Sequence, residues 1–99
     1  MTDETGQAGE SARRDLRIVN RRGLHARAAG KFAKLAESFS AHILVEKDDM
    51  SVDGTSIMGL LMLSASTGTS IAVSATGPDA AAALDALSAL VSAGFEETD

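Results

Sequence analysis

Hydrophobic residues recur with two different periods in the first half of this chain. Leu16 and Ile18 stand on either side of the charged Arg17, which is the two-residue period of a half-buried strand. From Phe32 to Phe39 the apolar positions instead fall at i, i+3, i+4 and i+7, the spacing of an amphipathic helix. The change of period predicts a strand followed by a helix.

Shorter apolar runs predict the remaining elements. Thr55 or Ser56 is placed as the N-cap of a short helix that tolerates Gly59. Pro78 falls in the first turn of a final helix, and Gly94 ends that helix. The predicted elements are a strand at 15–19, a helix at 26–38, strands at 41–47 and 50–53, a helix at 57–63, a strand at 71–75 and a helix opened by 77–79. This β-α-β-β-α-β-α order predicts an α+β open-faced sandwich, in which three helices cover one face of a four-stranded antiparallel sheet.

The start of the chain differs from the rest in composition. Residues 2–14 carry no large apolar side chain, so we expect 1–14 to be a disordered N-terminal tail. A chain of 99 residues supports one modest core, and residues 15–99 are therefore expected to form a single domain.

The composition excludes several classes of function. The chain contains no cysteine, which rules out disulfides, thiolate metal sites and a thiol nucleophile, and we expect no metal or other cofactor. No apolar run approaches the roughly 20 residues of a membrane span, so a cytoplasmic protein without membrane insertion is expected. A net charge of −5 and only three aromatic residues argue against nucleic-acid binding. A monomer is expected, because a small monomer suits transient complexes.

The positive charge is concentrated around one histidine. Eight of the nine basic residues lie between Arg13 and Lys34, and His25 stands between the predicted first strand and first helix. Backbone N–H groups at a helix start and the positive end of the helix dipole stabilise an anion there. An imidazole is largely neutral and nucleophilic near pH 7, so His25 is a candidate phosphoryl acceptor, with Arg27 offsetting the charge that arrives.

The motif Gly23-Leu24-His25-Ala26-Arg27, the run from Ser56 to Leu60 and the element order together resemble HPr, the histidine-containing phosphocarrier family of the bacterial phosphoenolpyruvate-dependent phosphotransferase system. The resemblance implies that His25 receives a phosphoryl group on Nδ1 from phosphorylated enzyme I and passes it to an enzyme IIA domain. It assigns Arg27 to the active site. The backbone N–H groups of Ala26 and Arg27 would bind the phosphate.

The resemblance also implies regulation and docking at the second helix. Ser56 matches the serine that a dedicated HPr kinase/phosphorylase modifies in some bacteria. The helix after it is apolar nearly all round, so part of it is expected to be exposed. The residues expected to form the partner-docking patch are Leu24, Ile57, Met58 and Leu61.

Two positions depart from the common family pattern. Ala28 stands where most members have proline, and Arg22 stands where a small hydroxyl or amide residue is common. Together with the long tail at 1–14, these departures favour the regulatory, nitrogen-related branch of the system. His42 is expected to be a surface histidine, and Glu96 and Glu97 are interpreted as solvated tail residues.

Two other hypotheses stay open at this point. A small acyl-phosphate hydrolase is also a compact α+β domain that holds phosphate with an arginine and helix-start amides, and it would release phosphate over many turnovers without a partner protein. The other hypothesis is an interaction module that binds no ligand, but it leaves the concentration of basic residues around His25 unexplained.

Overall fold

The computed structural model describes residues 10–97 of the chain, and within them the strands and helices follow the predicted order. The strands are β1 (Glu10–Arg17), β2 (His42–Lys47), β3 (Met50–Asp53) and β4 (Ser70–Gly77), and the helices are α1 (Ala26–Glu37), α2 (Ile57–Met62) and α3 (Ala80–Ser92), followed by a 3₁₀ turn at Gly94–Glu96. The predicted fold class is confirmed.

The strands form one antiparallel sheet in the order β1-β4-β2-β3. Val73 of β4 lies opposite Val45 of β2, and Val45 in turn lies opposite Val52 of β3. Successive strand residues point to opposite faces, so these valines share the face that the helices cover. The central strand β4 is hydrogen-bonded on both edges, to β1 and to β2.

The core lies between that face and the helices. Phe32 of α1 and Leu84 and Leu87 of α3 are buried almost completely, as their helical spacing predicted. Each such side chain contributes about 1.5–3 kcal/mol when it leaves water. Phe95, beyond the end of α3, is also fully buried, which the sequence pattern did not indicate.

The first strand corrects the predicted tail and domain boundary. β1 begins at Glu10 and pairs with β4 along its whole length, so residues 10–14 belong to the folded domain, while 1–9 lie outside the described residues. Arg13 is on the face of the sheet that is open to solvent, whereas Arg14, opposite Val73, is on the helix side and binds Asp85 and Ser88 of α3, both at 2.9 Å. Apolar content alone therefore misplaced the boundary.

The start of α3 also differs from its prediction. Asp79 is the N-cap and Pro78 precedes it, so the proline is outside the first turn. The Asp79 carboxylate accepts a hydrogen bond from the Ser40 backbone N–H at 2.7 Å, and the Asp79 N–H donates to the Ser40 carbonyl at 3.1 Å. This pairing with the loop before β2 delays the helix to Ala80. At the other end Gly94 adopts a φ of +63°, which confirms it as the stop.

In the stretch that the structure describes, every helix is too short or too polar to cross a membrane.

Candidate functional site

His25 is the N-cap residue of α1. Its backbone is extended, with φ −80° and ψ −178°, and its side chain makes no capping hydrogen bond to the helix. The ring is therefore free for other contacts, and 23% of the side chain is exposed. The predicted position of a partly accessible histidine at the start of the first helix is confirmed.

The first turn of α1 supplies backbone donors beside this ring. The Ala29 N–H makes the first helical hydrogen bond, to the His25 carbonyl at 2.8 Å. The N–H groups of Ala26, Arg27 and Ala28 precede that bond and stand at the positive end of the helix dipole. Arg27 is exposed on the same turn. The arrangement can stabilise an anion carried on the ring.

The loop before His25 fixes its backbone. Gly23 has a φ of +69°, and a Cβ there would lie 2.6 Å from the Ala65 carbonyl oxygen, so only glycine fits. The Leu24 N–H donates to that same oxygen at 2.9 Å, and the His25 N–H donates to the Gly23 carbonyl at 2.9 Å. Two segments distant in sequence therefore hold the histidine in place.

Leu24 is not available for docking. Its side chain is 4% exposed and lies in the core, which overturns the prediction that it contributes to a partner surface. The leucine is needed instead to anchor the loop that carries His25, because its burial removes apolar surface from water.

A carboxylate from the end of the chain reaches the ring. The Nε2 atom of His25 makes a short hydrogen bond with Oε2 of Glu97. The other oxygen, Oε1, accepts a hydrogen bond from Nδ2 of Asn20 at 3.0 Å, and the same Nδ2 donates to the Gly23 carbonyl at 2.8 Å. Interpreting Glu97 as a solvated tail residue was therefore wrong.

The hydrogen bonds to Glu97 hold its pKa below the ordinary value for a glutamate. The bond with His25 is the largest cause, the bond from Asn20 is the second, and electrostatic interactions with the His25 and Arg22 side chains act in the same direction. Burial opposes them. Glu97 is thus a carboxylate near neutral pH, and the proton in its contact with His25 is on Nε2.

An unusual turn brings Glu97 to the site. Gly94, Phe95 and Glu96 all have positive φ, at 63°, 58° and 63°. Non-glycine residues in this region cost about 1–3 kcal/mol each, and they persist where surrounding contacts hold them. The fully buried Phe95 ring is one such contact, and Lys31 Nζ donates to the Phe95 carbonyl at 2.7 Å as another. The periodic pattern did not indicate this anchor, but a lone aromatic residue just past a helix-stop glycine is a signal that could have.

Ser56 is the N-cap of α2, as predicted. Its Oγ accepts a hydrogen bond from the Gly59 N–H at 3.0 Å, and the residue is half-buried. Capping is therefore one function of this hydroxyl.

The short helix after Ser56 exposes apolar side chains. Ile57 is 45% exposed, Met58 71% and Met62 62%, and we call these three residues the α2 patch. Leu61 is only partly exposed because it packs against the core, so its predicted place in the docking surface is limited to its outer edge. Met62, which was not predicted, contributes more exposed apolar surface than Leu61.

Residues 10–97 contain no cluster of three or more histidine, cysteine, aspartate or glutamate residues suited to a metal ion. The candidate site consists of a histidine, its carboxylate partner, helix-start amides and an arginine. An open-faced α+β sandwich that presents a histidine in this way can carry an anion such as a phosphoryl group on the ring.

Comparison with known proteins agrees with this chemistry. The family model described as the "PTS HPr component phosphorylation site" matches residues 12–93. Phosphocarrier protein HPr of Neisseria meningitidis serogroup A is 44% identical over 85 residues, covering 86% of this chain and 96% of that protein. Phosphocarrier protein NPr of Shewanella violacea is 46% identical over 84 residues, covering 85% and 92%. The crystal structure of HPr from Thermoanaerobacter tengcongensis superposes with a TM-score of 0.84 at 40% identity, covering 89% and 99%.

The chain belongs to the HPr family of the phosphotransferase system. Members of this family are phosphoryl carriers that interact with enzymes of the system such as enzyme I and enzyme IIA, so the chain is not itself an enzyme. The hydrolase hypothesis has no support among the matches.

Proposed function

We propose that His25 is the residue of this phosphocarrier that bears the phosphoryl group, and that Nδ1 is the nitrogen that carries it. The supporting observation is that the two nitrogens of the ring have different surroundings. Nε2 is engaged by Glu97, which leaves Nδ1 with a lone pair beside the N-terminus of α1. A neutral imidazole nitrogen of this kind is a nucleophile near pH 7.

Arg27 and the helix start would hold the group after transfer. The N–H groups of Ala26 and Arg27 stand at the positive end of α1, where phosphate oxygens accept hydrogen bonds readily. The Arg27 guanidinium adds a full positive charge on the same turn. This combination stabilises a phosphohistidine moderately without a metal, so that the group survives diffusion and still transfers.

The reaction is an in-line displacement at phosphorus. The Nδ1 lone pair of His25 attacks the phosphoryl group of phosphorylated enzyme I as the N–P bond of the donor breaks, and the bonding electrons return to the donor's imidazole. The acceptor is an enzyme IIA domain, and the second transfer is the same step with the roles exchanged. Positioning and charge, rather than covalent chemistry by other side chains, lower the barrier.

The test uses the two histidines of the chain as a matched pair. Incubation with phosphoenolpyruvate and enzyme I should give one acid-labile phosphate per chain, and ³¹P NMR should place it on Nδ1. His25→Ala should accept none, while His42→Ala should behave as the wild type because His42 is on the exposed side of β2. Phosphorylation of His25→Ala would end the proposal.

We propose further that the acceptor belongs to the nitrogen-related branch. Arg22 and Ala28 depart from the common HPr pattern, and the NPr of Shewanella violacea is among the relatives at 46% identity. Phosphorylated protein should then transfer faster to a nitrogen-related IIA domain than to a sugar-specific one. Faster transfer to the sugar-specific domain would assign the protein to the other branch.

Ser56 is proposed as a regulatory phosphosite for an HPr kinase/phosphorylase. A phosphate adds about −1.5 to −2 charge units at the start of α2, next to the α2 patch, where it repels an acidic partner. Incubation with that kinase and ATP should label the wild type and not Ser56→Ala. Thr55→Val removes the neighbouring exposed hydroxyl and should leave labelling intact. Labelling of Ser56→Ala would reject the site.

The protein is proposed to act as a cytoplasmic monomer, because it has to dissociate from one partner before it meets the next. Sedimentation equilibrium should give the mass of one chain, and the protein should be recovered in the cytoplasmic fraction of cells. A stable dimer or recovery in another fraction would contradict the respective part of the proposal.

A further inference from the structure

Asn20 and His25, which are five residues apart, and Glu97, 72 residues beyond His25, lie in series at the site. Asn20 binds Glu97, and Glu97 binds the ring of His25. Asn20 precedes α1 in the loop after β1, and Glu97 follows the turn at the end of the chain. Neither residue touches the position of the phosphoryl group on Nδ1, so both act through the histidine.

The orientation of Asn20 follows from its hydrogen bonds. Nδ2 donates to the Gly23 carbonyl at 2.8 Å and to Glu97 Oε1 at 3.0 Å, and only an amide NH₂ group can donate to both acceptors. The residue is 6% exposed, and its Oδ1 has no hydrogen-bond partner among the described protein groups. A buried amide oxygen without a hydrogen-bond partner lowers stability, and an apolar side chain would avoid this cost. This indicates that the Asn20 amide is needed for its hydrogen bonds to Gly23 and Glu97.

We propose that Glu97, held by Asn20, is a positioning residue for phosphoryl transfer that keeps the proton on Nε2 of His25 and so keeps the Nδ1 lone pair free. This inference rests on the proposed role of His25 and adds two residues to it. Glu97 accepts the Nε2–H bond with one oxygen, and Asn20 fixes the other oxygen so that the carboxylate cannot rotate away. The pair thus sets both the tautomer and the orientation of the ring.

The same contact matters after the group has arrived. When Nδ1 forms its bond to phosphorus, Nε2 keeps its hydrogen and the ring becomes a phosphoimidazolium, whose positive charge the Glu97 carboxylate offsets. In the next transfer the Nδ1–P bond breaks, its electron pair returns to the ring, and a neutral imidazole leaves. No proton is gained or lost by His25 in either direction, because Glu97 holds the Nε2 hydrogen throughout.

Other charges surround this pair. Arg22 acts on Glu97 from the loop before α1, and Arg27 stands on the first turn of α1. On α1, Lys31 lies 4.0 Å from Glu96 and donates a hydrogen bond to the Phe95 carbonyl. Among the described residues, Glu97 is the carboxylate that contacts the ring. A substitution of Glu97 therefore tests this contact directly.

Glu97→Gln tests the proposal, and Glu96→Gln is its matched control. Both variants change one charge at adjacent positions, but Glu96 is 72% exposed and contacts Lys31 instead of the histidine. In the wild type and in Glu96→Gln, we expect a low-field proton NMR signal from Nε2–H. In Glu97→Gln the signal should move upfield or be lost, and transfer from enzyme I should slow by about tenfold, since the charge-assisted hydrogen bond becomes at best a neutral one.

The pH dependence of phosphohistidine hydrolysis gives a readout that a purely structural role would not change. Without the carboxylate, the phosphorylated ring loses its Nε2 proton at lower pH, so the acid-labile range of Glu97→Gln should shift downward by about one pH unit. Asn20→Ala should shift the profile in the same direction by a smaller amount. Because Asn20 also binds the Gly23 carbonyl, circular dichroism checks its fold, and Glu97→Gln decides the matter if the Asn20 variant unfolds.

The two proposals fail in different ways. Wild-type protein that accepts no phosphate from enzyme I would reject the role of His25, whatever the ring spectrum shows. Wild-type protein that is phosphorylated, with Glu97→Gln and Glu96→Gln matching it in Nε2–H signal, transfer rate and hydrolysis profile, would reject the role of Glu97 and leave that of His25 intact.

Discussion

Glu97 lies 72 residues beyond His25 in the sequence and is hydrogen-bonded to its Nε2 atom in the fold. The contact joins the end of the chain to the start of the first helix. It exists because the turn at Gly94–Glu96, with its positive φ values, follows α3 and the buried Phe95 anchors it there. The proposed acceptor histidine is therefore held from a segment that is remote along the chain.

The first prediction concerns acid stability. The pKa of Glu97 is below its ordinary value of 4.5 in the folded protein, so the ionised form stabilises the fold. This stability should be fully present above about pH 4.5 and should be lost as the pH falls through the lowered pKa. Urea unfolding of the wild type and Glu97→Gln should give free energies of unfolding whose difference is constant near neutral pH and shrinks in acid. Glu96→Gln carries the same charge change, and identical difference curves for the two variants would contradict the prediction.

The second prediction uses two glycines with opposite surroundings. Gly23→Ala places a Cβ 2.6 Å from the Ala65 carbonyl oxygen at a φ of +69°, so it should lower the free energy of unfolding by more than about 1 kcal/mol. Gly30→Ala lies inside α1 with no atom within 4 Å of the new Cβ, and it should raise stability by about 0.5–1 kcal/mol. Chemical denaturation measures both. Equal effects of the same sign would show that the loop before His25 is not restrained as described.

The third prediction separates the two roles of Ser56. Ser56→Ala removes the acceptor of the Gly59 N–H bond and should destabilise the protein by about 1 kcal/mol while transfer is retained. Ser56→Asp keeps an N-cap acceptor, so its stability should stay close to that of the wild type. Its negative charge should raise the KM for partner proteins. Comparable transfer kinetics for the two variants would argue against electrostatic control at this position.

The fourth prediction concerns the docking surface. Met58→Gln changes the most exposed residue of the α2 patch and should raise the KM for enzyme I, with stability altered by less than about 0.5 kcal/mol. Leu24→Ala, in the core, should instead cost about 2–5 kcal/mol. Ala89→Gln on exposed α3 surface serves as the control for polar change alone. A KM unchanged by Met58→Gln would exclude the patch from partner contact.

The elements with a strong local period were predictable. The alternation around Val73 and the helical spacing from Phe32 to Phe39 each bury one face, so their type could be inferred from the sequence. The N-cap role of Ser56 was predictable for the same reason, since a cap is a contact within one turn. The boundary at 10–14 was wrong because an edge strand that faces solvent on one side carries few apolar residues.

Contacts between distant segments were not predictable. Leu24 belongs to the short motif around His25, and it was predicted to be an exposed docking residue. In the fold its N–H donates to the Ala65 carbonyl and its side chain is buried in the core. Glu97 was interpreted as a solvated tail residue because its partners, His25 and Asn20, are more than 70 residues away in the sequence.

The sequence by itself determined the order of strands and helices, the place of His25 at a helix start and the class of chemistry open to it, because each depends on neighbours within a few residues. The tertiary structure decided which ring nitrogen is engaged, which apolar residues face solvent and where the domain begins. Those features depend on groups that are brought together only when the sheet, the helices and the terminal turn pack, and burial and hydrogen bonding between remote segments leave no periodic trace in the chain.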